Sequence, residues 1–328
     1  FYTSALGIMP LREAIAAFYQ DQYGVTVSPE RIIVTAGSSA ALLLTFGVLL
    51  NAGDEVLMAD PGYPCNRHFV RALGGVPHTV PVGAEHAYQL TASHIESQWN
   101  RRTVAALVAS PSNPTGTLVA PDELARIHRA VQGRGGTLIV DEIYQGLTYG
   151  VEPSTALALA GGAGDQVFVI NSFSKYFQMT GWRLGWLVVP PAYVREVEKL
   201  AQNLFISAST PAQYAALAAF SPETLAILES RRAEFEARRD FLMPALRKLG
   251  FAIPVEPQGA FYIYADSSQI GTDSFAISRK ILQHAQVALT PGKDFGTAAP
   301  ERHIRVAYTQ TIARLGEAID RMRGVLHP

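Results

Sequence analysis

Short apolar runs recur through the first two thirds of the chain, and polar or turn-forming residues follow most of them. Ile32-Ile33-Val34-Thr35 leads to Gly37, and Glu55-Val56-Leu57-Met58 leads to Asp60-Pro61-Gly62-Tyr63-Pro64. Val104 to Val108 precedes Ser110-Pro111-Ser112-Asn113-Pro114-Thr115-Gly116. Thr137 to Val140 ends at Asp141, Val167 to Ile170 ends at Asn171-Ser172, and Leu184 to Val189 forms a further run. Helical patterns lie between them. Pro10 to Tyr19 places Leu11, Ile15 and Phe18 on one face, Ser38 and Ser39 open Ala40 to Leu50, and Pro121-Asp122-Glu123 starts another helix. Fully apolar strands alternating with helices predict an α/β fold, a mostly parallel sheet covered by helices on both faces. Ligands of such sheets bind beyond the C-terminal ends of the strands, where these polar residues fall.

The pattern changes near residue 222. Pro222 to Leu249 reads as one long helix rich in Glu and Arg. Strands are expected at Ala260 to Ala265, Val287 to Leu289 and His303 to Tyr308, with helices at Ser274 to Gln283 and Ile312 to Val325. This predicts a large domain over residues 1–225 and a smaller α+β C-terminal domain over 226–328, joined by the helix at about 222–249. The glycine clusters Gly133 to Gly136 and Gly161 to Gly164 read as helix-to-strand connections.

Composition excludes several classes. A net charge of -1 gives no bulk attraction to nucleic acid or anionic membranes. The longest apolar run, Ala40 to Leu50, is too short for a bilayer. The single cysteine, Cys65, precludes an internal disulfide framework, suits a reducing compartment and reads as a buried thiol. There is no signal-peptide pattern, so a cytoplasmic protein is expected. The chain begins at Phe1 rather than methionine, which predicts a natural start further upstream.

The stretch Ser172-Phe173-Ser174-Lys175, followed by Gly181-Trp182-Arg183-Leu184-Gly185, carries most of the chemistry. Hydroxyls and an arginine suit an anion. A lysine kept partly neutral by its surroundings is a carbonyl trap, unless it is simply a solvated loop residue. Gly37-Ser38-Ser39 at a strand-to-helix turn suits a phosphate, or is a plain serine cap. Asp141 ends an apolar strand, where a carboxylate is costly without a cation. Tyr144, Tyr63 and Asn113 either face the same cavity or serve packing and turns. Arg305, in His303 to Tyr308, is either a carboxylate anchor or an edge-strand arginine.

Taken in order, these pieces resemble the class I/II aminotransferases of the pyridoxal-phosphate-dependent fold type I family. Pro61-Gly62-Tyr63-Pro64, Ser112-Asn113-Pro114-Thr115-Gly116 and Asp141-Glu142-Ile143-Tyr144 match alongside those above, nearly end to end. The resemblance implies pyridoxal 5'-phosphate bound covalently by Lys175 through a Schiff base. It implies Asp141 at the ring nitrogen, Tyr144 and Asn113 at the phenolic oxygen, and Tyr63 stacked on the ring. Ser38, Ser39, Ser172, Ser174 and Arg183 would hold the phosphate. Arg305, with Asn113, would bind the substrate α-carboxylate. Tyr2 would reach the phosphate of a neighbouring subunit, which implies a homodimer with shared active sites.

The implied activity moves an amino group between an amino acid and a 2-oxo acid by a ping-pong cycle. Carbon–sulfur β-elimination on the same cofactor is the enzyme alternative. A ligand-sensing domain of a transcription regulator is the alternative of another class, and it would need a basic helix-turn-helix ahead of Tyr2. The resemblance also implies a family segment ahead of Tyr2 that closes over the substrate. Some aspartate-specific relatives carry a lysine at the position of Ser39, and a serine supplies no charge for a second carboxylate.

Overall fold

A computed structural model describes residues 1–160 and 165–326. The elements in chain order are α1 (Met9–Tyr23), β1 (Ile32–Thr35), α2 (Gly37–Leu49), β2 (Glu55–Asp60), α3 (Pro64–Ala72), β3 (Val76–Pro81) and α4 (Ala92–Gln98). Next come β4 (Thr103–Ala109), α5 (Pro121–Gln132), β5 (Thr137–Asp141), β6 (Val167–Ser172), β7 (Gly185–Val188), α6 (Val194–Leu204) and α7 (Thr210–Leu217). The chain ends with α8 (Pro222–Lys248), β8 (Tyr262–Asp266), α9 (Ser274–Ala285), β9 (Thr290–Pro291), β10 (His303–Ala307) and α10 (Ile312–Leu326).

Seven strands form one sheet in the order β1-β7-β6-β5-β4-β2-β3. Among the described strands of this sheet, β7 runs antiparallel to both of its neighbours, β1 and β6, and the other adjacent pairs are parallel. The continuous apolar runs follow from burial on both faces. Val34, Leu57, Val108, Val140 and Val169 pack on one side with Leu11, Ile15 and Ile127. Ile33, Val56, Leu107, Ile139 and Phe168 pack on the other with Leu44, Phe46 and Val197.

Helix α8 starts cleanly because Ser221 caps it, accepting the Thr224 N–H at 3.2 Å, with Pro222 in its first turn. Beyond it lies a three-stranded antiparallel sheet, β8-β10-β9, with its own core around Leu246, Phe251, Ile281, Ile304 and Ile319.

Two expected strands shift. Val287 to Leu289 is not a strand, and the short strand falls at Thr290–Pro291 instead, where it pairs with Ile304 and Arg305 of β10. The run at 184–189 shortens to Gly185–Val188. Strand β3 escaped the sequence reading because Pro77 and Pro81 interrupt it, and it sits at the sheet edge, where proline is tolerated. Gly133 to Gly136 does connect α5 to β5. The Gly161 to Gly164 cluster lies outside the described residues. Among the described residues no helix is long and apolar enough to cross a membrane.

Candidate active site

The loops that follow β2, β4, β5 and β6 meet β8 and β10 of the smaller sheet. One cavity between them is lined by Tyr63, Asn113, Asp141, Tyr144, Lys175 and Arg305, together with Ala109, Pro111, Ile143 and Tyr262. Six residues singled out in the sequence therefore converge. The parallel strands bring their C-terminal ends to one side of the sheet, which is why residues far apart in sequence share this space.

Asp141 closes β5 and is buried. Its Oδ1 accepts the Ile143 N–H at 3.2 Å. Burial pushes its carboxyl up to about 7, against the pull of that hydrogen bond and of the Lys175 charge. Burial also lowers the Lys175 amine, and the positive charges of Arg305 and Arg183 lower it further, with Asp141 opposing. The Lys175 Nζ lies 5.5 Å from the ring centroids of both Tyr144 and Phe261. These surroundings raise the share of neutral amine, the form that attacks carbonyls.

Burial holds the Tyr144 phenol far above its ordinary range, so it stays a hydroxyl. It shares a 2.9 Å hydrogen bond with the Tyr262 hydroxyl. Tyr63 is half-buried, and its phenol is also raised, first by burial and then by the neighbouring Cys65. Cys65 itself is half-buried, not the buried thiol expected.

Arg305 lies on β10, the middle strand of its sheet, which disposes of the edge-strand reading. Its Nη1 donates to Asn113 Oδ1 at 2.9 Å and its Nη2 to Thr290 Oγ1 at 3.3 Å. The guanidinium carbon sits 4.3 Å from the Tyr262 centroid and 4.9 Å from that of Phe295. Its Nε is buried without a hydrogen-bond partner among the described residues.

A second cluster forms at the start of α2. Ala36, the N-cap, gives no side-chain acceptor to the first N–H groups of the helix. Arg183 approaches the same point: a Cβ on Gly37 would lie 2.7 Å from its Nη2. Gly37 has φ 76°, a conformation glycine adopts freely. Ser38, Ser39 and Ser174 are half-buried nearby in the sequence segments that flank this point. The Ser172 hydroxyl holds its own loop, donating to the Leu184 carbonyl at 3.2 Å and accepting the Ser174 N–H at 3.0 Å. Tyr2 is exposed and takes no part in this chain's cavity.

Four contributors escaped the sequence reading: Phe261, Tyr262, Thr290 and Phe295. An aromatic run such as Phe261-Tyr262-Ile263-Tyr264 reads as strand packing, and nothing local marks which ring faces a cavity.

These residues fit pyridoxal phosphate. A buried carboxylate calls for a cationic N–H, the uncapped helix end and Arg183 call for a dianion, and the depressed lysine calls for a carbonyl. One group carries all three. Comparison with known proteins shows the family. The profile described as "Aminotransferase class I and II" matches residues 1–322. The chain is 41% identical over 321 residues to valine–pyruvate aminotransferase of Mycobacterium tuberculosis, covering 98% of this chain and 82% of that protein. It is 32% identical over 326 residues to aspartate aminotransferase of Thermotoga maritima, with 99% and 83% covered. A crystal structure of an aminotransferase from Mycobacterium tuberculosis superposes with a TM-score of 0.94 at 41% identity, covering 99% of this chain and 84% of that one. Aspartate aminotransferase from Thermus thermophilus with maleate gives 0.92 at 33% identity, covering 99% and 84%.

Proposed function

This chain belongs to the class I and II aminotransferases, with their fold type I architecture, and from that premise we propose that the cavity around Lys175 is its pyridoxal-phosphate site. The observation that carries the assignment is the meeting of Lys175, Asp141 and the Arg305–Asn113 pair in one cavity. The enzyme moves an amino group between an amino acid and a 2-oxo acid.

In this reading Lys175 would hold the cofactor covalently. Ser38, Ser39, Ser172, Ser174, Arg183 and the α2 N-terminus would hold its phosphate. Asp141 would hold its ring nitrogen, Tyr144 and Asn113 its phenolic oxygen, and Tyr63 would stack on its ring. Once bound, pyridoxal phosphate supplies an electron sink for the substrate's α-carbon. Arg305 orients the α-carboxylate in a bidentate pair. Lys175 Nζ would remove the proton from the substrate Cα as a base and return a proton as an acid. A second half-reaction with another 2-oxo acid runs these proton movements in reverse, a ping-pong cycle.

The names of the relatives span valine and aspartate, so family membership leaves the amino donor open. Arg305 offers one fixed charge in the cavity and Ser39 offers none, which favours donors with a neutral side chain. The exposed position of Tyr2 suits a residue that completes a partner's phosphate site in a homodimer. The reading also divides the chain into a cofactor-binding part, 1–225, and a smaller part, 226–328. It places the protein in the cytoplasm, in keeping with its single cysteine.

Borohydride reduction of the loaded enzyme, followed by peptide mapping, tests the core of the assignment. The label is expected on Lys175 and absent from Lys175→Ala. A label on another lysine removes the assignment.

A further inference from the structure

Asp60 ends β2, three residues before Tyr63, and is 3% exposed. Its carboxylate reaches the loop between β9 and β10. Thr297 N–H donates to it at 2.9 Å (Oδ2) and 3.1 Å (Oδ1), the Thr297 hydroxyl at 2.8 Å, and Ala298 N–H at 3.3 Å. A Cβ on Gly296 would fall 1.6 Å from Asp60 Oδ1, so only glycine lets the loop come this close. Parallel bonds reinforce the clasp. Gly62 N–H donates to the Phe295 carbonyl at 3.0 Å, and Arg67 donates to the carbonyls of Phe295 and Asp294 at 3.1 and 3.0 Å.

The residue held by this clasp is Phe295, which is 2% exposed. Its ring lies 4.9 Å from the Arg305 guanidinium and meets Tyr264 edge-on at 6.2 Å. Among the described residues Asn113 and Thr290 are the polar partners of Arg305, so the rings of Tyr262 and Phe295 restrict where its planar fork points. A bidentate carboxylate pair depends on that angle.

We propose that Asp60 is a positioning residue for substrate binding: by clasping the loop at Thr297 and Ala298 it keeps Phe295 against Arg305 and so sets the orientation in which Arg305 receives the α-carboxylate. The proposal rests on the reading of Arg305 as the carboxylate anchor. Three donors of the loop, two N–H groups and a hydroxyl, converge on this one buried carboxyl group. Removing the acceptor strands two N–H groups and a hydroxyl at a buried seam, and the loop loosens.

The test compares Asp60→Ala, Asp60→Asn, Thr297→Val and Arg305→Ala in the cofactor-loaded enzyme. KM and kcat are measured for several amino donors, cofactor affinity by absorbance titration, and amide exchange across residues 292–298 by mass spectrometry. Asp60→Ala should raise KM for every donor by roughly tenfold, with a smaller change in kcat. Cofactor affinity should stay within about twofold, while exchange at Phe295 to Ala298 speeds up by about tenfold or more. Asp60→Asn should recover most of the KM, since its carbonyl still accepts the Thr297 N–H. Adding Thr297→Val to Asp60→Ala should worsen nothing, because both remove the same contact. Faster exchange with an unchanged KM would show that the clasp does not position Arg305. Unchanged exchange would show that Asp60 is no clasp. A loss of cofactor affinity matching the KM change would mark a general folding role and overturn the proposal. Should Asp60→Ala not fold, Thr297→Val alone must raise KM by a smaller factor, and no rise counts against the clasp. An unchanged KM in Arg305→Ala would remove the carboxylate anchor itself, and the proposal with it.

Discussion

Asp141 holds its proton in the cofactor-free site longer than an exposed carboxylate would, because burial raises it to about 7. At this residue the folded chain therefore binds more protons than the unfolded one between about pH 4 and pH 7. Stability tied to this residue is fully present below pH 4 and is lost as pH rises through 7. Glu142, raised by burial to about 8, adds a loss of the same sign that extends slightly higher. Asp141→Asn carries no charge to bury. Cofactor-free Asp141→Asn should exceed cofactor-free wild type in stability above pH 7, by up to roughly 4 kcal/mol, with no gain below pH 4. Denaturant melts across that pH range measure it. The loaded enzyme should show the opposite cost. Without a carboxylate at the ring nitrogen, Asp141→Asn and Asp141→Ala should keep some cofactor and lose most of their turnover. Near-normal transamination in either variant would place Asp141 away from the ring.

The junction of β1 and α2 shows how an element prepares a site. The strand ends, glycine takes φ 76°, and the helix opens with no side-chain cap, leaving its N–H groups and positive end for an anion. Gly37→Ala adds a Cβ 2.7 Å from Arg183 Nη2 in a backbone region that costs an L-residue about 1–2 kcal/mol. Arg183 must shift. The affinity for pyridoxal phosphate should fall by about tenfold or more, while that for pyridoxal, which lacks the phosphate, should barely change. Equal losses for both would show that Gly37 serves the fold and not the phosphate. This junction was legible in the sequence because an apolar run, a glycine and two serines are adjacent there. Lys175, Asp141 and Asn113 were legible for the same reason, as each closes or follows a strand whose periodicity is plain. Phe295, Thr290 and Tyr262 were not, since only the docking of the smaller sheet brings them to the cavity. Strand β9 was displaced because its position comes from pairing with β10 and not from the apolar triplet Val287-Ala288-Leu289 before it.

At the scale of the whole molecule, the site exists only where two sheets face each other. The large sheet contributes Lys175, Asp141, Tyr144, Tyr63 and Asn113, and the smaller one contributes Arg305 and Tyr262. Two 2.9 Å hydrogen bonds join the two halves at the cavity, one from Arg305 to Asn113 and one between the Tyr144 and Tyr262 hydroxyls, and the first of them holds the guanidinium. That division separates two kinds of loss. Arg305→Ala should leave cofactor affinity near wild type, yet lower kcat/KM for all amino donors by a similar factor, on the order of a hundredfold. Loss of a charge-assisted bidentate partner strands a carboxylate in a dry cavity, and about 3 kcal/mol corresponds to that factor. Under the proposed site, the same geometry favours a donor with an uncharged side chain. One guanidinium matches one carboxylate, so neutral donors should outperform aspartate, and Ser39→Lys should raise aspartate activity selectively. A panel of donors, each followed through the first half-reaction by the cofactor's absorbance, reads both effects. Aspartate as by far the best wild-type donor would require a second cation at the site, supplied from outside the residues that line this cavity. A kcat/KM unchanged by Arg305→Ala would mean that the two halves of the molecule meet at Asn113 for packing alone.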